Sequence, residues 1–159
     1  MKTIDDEIRF HLAETGWYLG ETKIGFFDES LAELGINPSI VSFHSGIEGF
    51  AETDGELIRL DESLKWGASQ IQRMFLAAHE WFHMRLGHCE GDLDMSRRAC
   101  HAREYLADKL AIRLLKKHGS NRHEIRDAIN VFKEIIVERE SNKHPSSEDR
   151  YWRLMEEVS

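Results

Sequence analysis

A chain of 159 residues, 41% hydrophobic and 31% charged, has the composition of one water-soluble folded domain and is long enough to bury a core without disulfide staples. No apolar run approaches the roughly 20 residues that span a bilayer, so no membrane segment is expected. Lys and Arg number 21 against 29 Asp and Glu, and the resulting charge of −8 opposes a phosphate backbone, which argues against nucleic acid as a partner.

The start, "MKTIDDEIRF", lacks the basic stretch and apolar run of a secretory signal, and two cysteines, Cys89 and Cys100, make no disulfide framework. A reducing cytoplasm is the expected compartment. No repeat or Pro/Gly/Ser linker interrupts residues 1–159, which read as a single domain.

In chain order, "WYLGETKIGFF" at 17–27 has strand character, and "DESLAELG" at 28–35 reads as a short helix capped by Asp28 or Ser30 and stopped at Gly35. From 38 to 61, "IVSFHSG", "IEGFAE" and "ELIRLD" are short, partly alternating runs separated by glycines and the turn-forming "TDG", the pattern of a small antiparallel meander. Ile71, Met74, Phe75, Ala78, Phe82 and Leu86 then recur at helical spacing up to Gly87. A second helix is expected over 96–117, closed by Gly119, and a third over 121–140, capped by Asn121. The basic run "RLLKKHG" falls where cations complement a helix C-terminus. Ser146 and Asp149 are spaced as a capping box for a terminal helix. The whole is α+β: a small antiparallel sheet packed on a helical bundle.

The first strong helix carries "LAAHEWFHMRLGH". Positions i and i+4 share one helix face, so His79 and His83 can offer imidazole nitrogens to a single ion, with Glu80 about 100° round the axis. This His-Glu-x-x-His spacing is that of zinc peptidases, in which two neutral imidazoles leave a coordination position open for water and the glutamate takes its proton. A third ligand six residues beyond His83 would be Cys89, and the glycine expected three beyond it is Leu86, so the metzincin arrangement does not apply. His88 lies past the helix end and is assigned to a loop or supporting position. The second helix supplies a carboxylate instead. Glu104 and Asp108 share a face, so one can bind the ion while the other accepts the free N–H of a ligating imidazole, and the small Ala107 lets the helices approach.

Glu104, Ala107 and Asp108, as Glu-x-x-Ala-Asp after His-Glu-x-x-His, resemble the gluzincin class of zinc metallopeptidases, and the small chain resembles the ImmA/IrrE family over residues 47–115. That likeness implies a minimal zincin-like domain holding one zinc through His79, His83 and Glu104, with Asp108 supporting and Glu80 as general base. It also implies a substrate strand added at a sheet edge, for which "GELIRLD" is the candidate. Phe82 departs from the small residue many relatives carry before the second histidine. "HPSSEDR" at 144–150 is similar to the His-Pro-x-x-x-x-Arg pattern of HtpX-like and CAAX-prenyl endopeptidases, membrane proteins unlike this chain; the likeness implies that His144 and Arg150 reach the site and stabilise an oxyanion. Phage-exclusion peptidases of the Lit type are similar through the zinc motif alone. The resemblance implies a regulatory endopeptidase acting on one or few proteins, such as a repressor, a toxin partner or a host or phage protein. Two alternatives stay open: an inactive zinc-binding protein-interaction module, and a metal-dependent amidohydrolase with a small substrate. His88, Cys89, Cys100 and His101 lack the spacing of a structural zinc site. His11, His44, His118 and His123 read as surface or core residues, and Trp81 as core.

Overall fold

The structure is a computed structural model and describes residues 21–158. Residues 17–20 of the expected first strand, and His11, lie outside the described residues. Residues 21–27 are helical: α1 runs Glu21–Glu33, with Phe27, Leu31 and Leu34 placing one buried apolar stripe at i, i+4 and i+7. The strand expectation is therefore corrected, and so is the cap, because Asp28 and Ser30 lie inside the helix. Ser30 Oγ donates back to the Phe26 carbonyl at 3.1 Å, as a hydroxyl does in mid-helix. Gly35, at φ 86°, ends the turn that follows.

A single 3-10 turn at Pro38–Ile40 leads into β1 (Val41–His44), followed by β2 (Ala51–Thr53) and β3 (Ile58–Asp61). The sheet order is β1-β3-β2, with β1 parallel and β2 antiparallel to β3, so the expected antiparallel meander is corrected to a mixed sheet. The cause lies in the connection between β1 and β2, which crosses the end of β3. Asp61 holds it there, Oδ1 accepting from the Ile47 N–H at 2.9 Å while the Asp61 N–H donates to the Phe50 carbonyl at 2.8 Å. "GELIRLD" thus supplies the central strand, paired on both sides; among the described residues the free edges belong to β1 and β2, which corrects the edge-strand expectation for residues 56–60. Ile58 and Leu60 point inward and are fully buried.

The helical layer begins with the short α2 (Leu64–Gly67), then α3 (Gln70–Arg85), α4 (Arg97–Lys117), α5 (Arg122–Ile129), α6 (Val131–Glu134) and α7 (Ser147–Val158). Ser69 and Gln72 form a reciprocal capping box at the start of α3, Ser96 caps α4, and Asn121 with Glu124 caps α5. The expected helix over 121–140 is broken at Asn130 and ends with α6. Ser146 Oγ accepts from the Asp149 N–H at 3.1 Å ahead of α7. The sheet rests on α3 through β2 and β3, and α4, α5 and α7 pack around the other side. Phe75, Ile112, Leu115, Ile125, Ile129 and Phe132 fill the space between them. No helix among the described residues is long and apolar enough to cross a membrane.

One anchor of α3 is a buried cation. Arg73 is 1% exposed; its Nη1 donates to the Leu64 and Ala68 carbonyls at 3.1 and 2.5 Å, and its Nη2 to Gln70 Oε1 at 3.2 Å. It ties the first carbonyl of α2 and the carbonyl of its cap, Ala68, to α3 and so fixes where the motif helix starts.

Candidate metal centre

The apolar face of α3 turns His79 and Glu80 inward, both buried, with His83 one turn on and partly covered. The face of α4 that packs on α3 brings Glu104 and Asp108, also buried, to the same point. His79 Nε2 lies 3.0 Å from Glu104 Oε2, His83 Nε2 lies 3.0 Å from Glu104 Oε1, and the two Nε2 atoms are 2.9 Å apart. Among the described residues these three form the one group of histidine, cysteine or carboxylate side chains close enough to share an ion.

Donor chemistry tests the fit. Two imidazole nitrogens and one carboxylate suit zinc, and their separations of 2.9–3.0 Å are a few tenths short of the roughly 3.3 Å edge of a tetrahedron built on bonds of about 2.05 Å. Small outward side-chain movements bring the set to that size, so the residues fit a divalent cation.

Each histidine has a supporting partner. His79 Nδ1 lies 2.8 Å from Asp108 Oδ1, although its N–H is not aligned on that oxygen and the buried atom has no well-directed hydrogen bond; a modest rotation of the ring supplies one. His83 Nδ1 lies 2.9 Å from His88 Nδ1. An ion held through Nε2 would put the His83 proton on Nδ1, where it would be donated to His88. Gly87, at φ 72°, makes this contact possible by adopting the left-handed conformation that folds His88 back onto α3. Burial, with the charges of His83 and Arg103, lowers His88 to about 4, so it is neutral near pH 7 and able to accept.

The charges are strongly coupled. Burial opposes a charged His79, but Glu104 and Asp108 outweigh it and raise the imidazole to about 10 in the metal-free protein. Burial likewise opposes the charged forms of Glu104 and Asp108, yet both stay below the usual carboxylate range, Glu104 through His79, His83 and Arg150, and Asp108 through Arg150 and His79. Glu80 behaves differently. Its Oε1 is 3.9 Å from His79 Nε2, and burial pushes its carboxyl up.

Arg150 and His144 both reach this centre. Arg150, on α7, is buried over the Phe132 ring at 4.3 Å and grips Asp108 with Nε to Oδ2 at 2.9 Å and Nη2 to Oδ1 at 2.8 Å, while Nη2 lies 3.4 Å from Glu104 Oε2. Two of its nitrogens are thus committed to carboxylates, which sets the guanidinium against Asp108 and Glu104. His144 precedes α7, is 44% exposed and points Nε2 at Glu104 Oε1 from 3.8 Å. Arg73 escaped the sequence reading, since a buried arginine looks like any helix arginine; His88, expected in a loop or supporting position, is placed against His83 by the turn at Gly87.

Among the remaining histidines, His44, His118 and His123 are exposed, and Trp81 packs partly buried against the core with Arg85 over its ring at 5.0 Å. Cys89 is exposed and lies against the β2–β3 turn, its Cβ 3.3 Å from where a side chain at Gly55 would begin. Burial, then Glu80 and Asp54, raise its thiol. The chain matches no family model, no curated protein and no solved structure, so the functional reading rests on the geometry of this centre.

Proposed function

We propose that the chain is a zinc-dependent endopeptidase of the gluzincin type, resembling the ImmA/IrrE family, with His79, His83 and Glu104 as metal ligands and one or few protein targets. The observation that carries this reading is the meeting of those three donors within 3.0 Å of one another, with a buried glutamate alongside whose carboxyl is raised by burial. A divalent cation bound there supplies Lewis acidity, polarising a peptide carbonyl and acidifying water.

The chain's own residues do the rest. Glu80 takes a proton at its carboxylate from the attacking water and returns it to the leaving amine; a raised carboxyl is suited to both transfers. Asp108 holds His79 by its Nδ1 side, and His88 holds His83. Arg150 keeps Glu104 and Asp108 ionised and in place. His144, on the exposed rim, donates to the carbonyl oxygen as charge develops on it. The free edge of β2, the outer strand of the part of the sheet that rests on α3, offers backbone groups to a substrate strand.

The test pairs metal analysis with a search for products. Purified protein should carry about one zinc per chain, and Glu80→Gln should keep the zinc. Comparing the protein termini of cells expressing the wild type and Glu80→Gln should then reveal a new terminus only with the wild type. A metal-free protein, or identical termini under all conditions, overturns the reading.

A further inference from the structure

An open groove of about 760 Å³ adjoins the centre, lined by Arg97, Arg98, His101, Ala102, Tyr105 and Arg153. Its position follows from α4: His101 and Tyr105 lie within a turn of Glu104, on a face rotated from the ligand face toward α7. The His101 Nε2–H donates to the Ser141 carbonyl at 2.7 Å, and the same segment then carries His144 back to Glu104. The segment 141–144 therefore touches the groove at His101 and the candidate ligands at Glu104.

Three arginines meeting at one opening is unusual for a chain of net charge −8. The rim already holds one carboxylate of the chain itself: Glu140 reaches Arg97 at 3.4 Å and His101 at 3.8 Å. Asp149 and Glu140 are near enough to act on Tyr105, but no carboxylate pairs with Arg98 or Arg153 among the described residues. Arg153 instead lies over the Tyr105 ring at 3.8 Å and is exposed to solvent. Glu140 thus shows what the groove accepts, and two exposed guanidinium groups remain to accept more.

We propose that this groove is a docking subsite for an acidic segment of the polypeptide substrate, which refines the peptidase reading and rests on it. Arg98 is six residues before Glu104, about 9 Å along the helix at 1.5 Å per residue, or roughly three residues of extended chain. The acidic residues of a substrate therefore fall about three positions from the bond that is cut.

The test measures binding apart from cleavage. Full-length Glu80→Gln protein is titrated with a fluorescent twelve-residue Gly/Ser peptide carrying three glutamates, with its glutamine counterpart, and with a single-stranded oligonucleotide of equal charge. The glutamate peptide should bind about tenfold more tightly than the glutamine peptide, and Arg98→Ala with Arg153→Ala, both at exposed positions, should abolish that difference while zinc content and melting temperature hold. Equal affinity for the two peptides, preference for the oligonucleotide, or discrimination that survives the double substitution overturns the proposal. Selective binding by protein that proves to have no hydrolytic activity would sink the peptidase reading and leave an acidic-peptide site standing.

Discussion

Arg150 closes on Asp108 through two nearly parallel contacts, Nε to Oδ2 at 2.9 Å and Nη2 to Oδ1 at 2.8 Å, with both side chains buried. This fork joins α7 to α4 directly behind the imidazole of His79. Arg150→Met leaves the Asp108 carboxylate buried without its partner, a change that costs about 3–5 kcal/mol in comparable settings. Urea unfolding should show that loss. Adding Asp108→Asn should restore part of it, because no buried charge is then left alone; an additive loss in the double variant would mean the pair is not coupled.

Arg73 predicts a second stability effect, far from the metal ligands. Arg73→Met keeps the side-chain bulk but strands the Ala68 carbonyl, at about 1–3 kcal/mol for a buried group left unpaired, while the Leu64 carbonyl keeps the Ala68 N–H. The urea midpoint should fall with the slope unchanged. Zinc affinity, extrapolated to fully folded protein, should stay within a few-fold, since Arg73 touches none of the ligands.

His88 should act on the metal and hardly at all on the fold. His88→Ala removes the acceptor from His83 Nδ1 and should weaken zinc binding about 10- to 100-fold, the usual effect of losing such a partner. His88→Asn, which restores an acceptor oxygen, should recover part of it. Competition against a chromophoric chelator reads both; unchanged affinity in His88→Ala would mean the contact does not orient the ligand.

Metal removal should be visible as melting. An ion that binds only the folded chain stabilises it by about 4 kcal/mol when present at a thousand times its dissociation constant. Chelator should therefore lower the melting temperature of the wild type and leave His79→Ala and Glu104→Gln unaffected. A chelator response that persists in both variants would place the ion elsewhere.

The meeting of His79, His83 and Glu104 was legible because helical periodicity is local. Four-residue spacings set His79 beside His83 and Glu104 beside Asp108, and the apolar stripe on α3 turned the first pair inward. Strand order was not legible, since alternation tells which side chains of β3 point inward but not that β1 and β2 flank it on either side. The decision rests on Asp61 holding the β1–β2 connection across the strand end, a contact between residues 14 apart. The first helix was misread for a related reason: glycines and aromatics at 17–27 suggest a strand, while Phe27, Leu31 and Leu34 form a stripe only when the segment is followed past Asp28. Arg150 announced its arrival at the site through its spacing from His144, but its commitment to Asp108 depends on how α7 crosses α4.

That crossing gives α7 leverage. The guanidinium rides on one helix and the carboxylates it neutralises on another, so the electrical balance at the centre depends on where α7 sits. A partner that pried α7 loose would leave Glu104 and Asp108 with the histidines as their remaining counter-charges, so the centre would be disturbed without any of its own side chains having been altered.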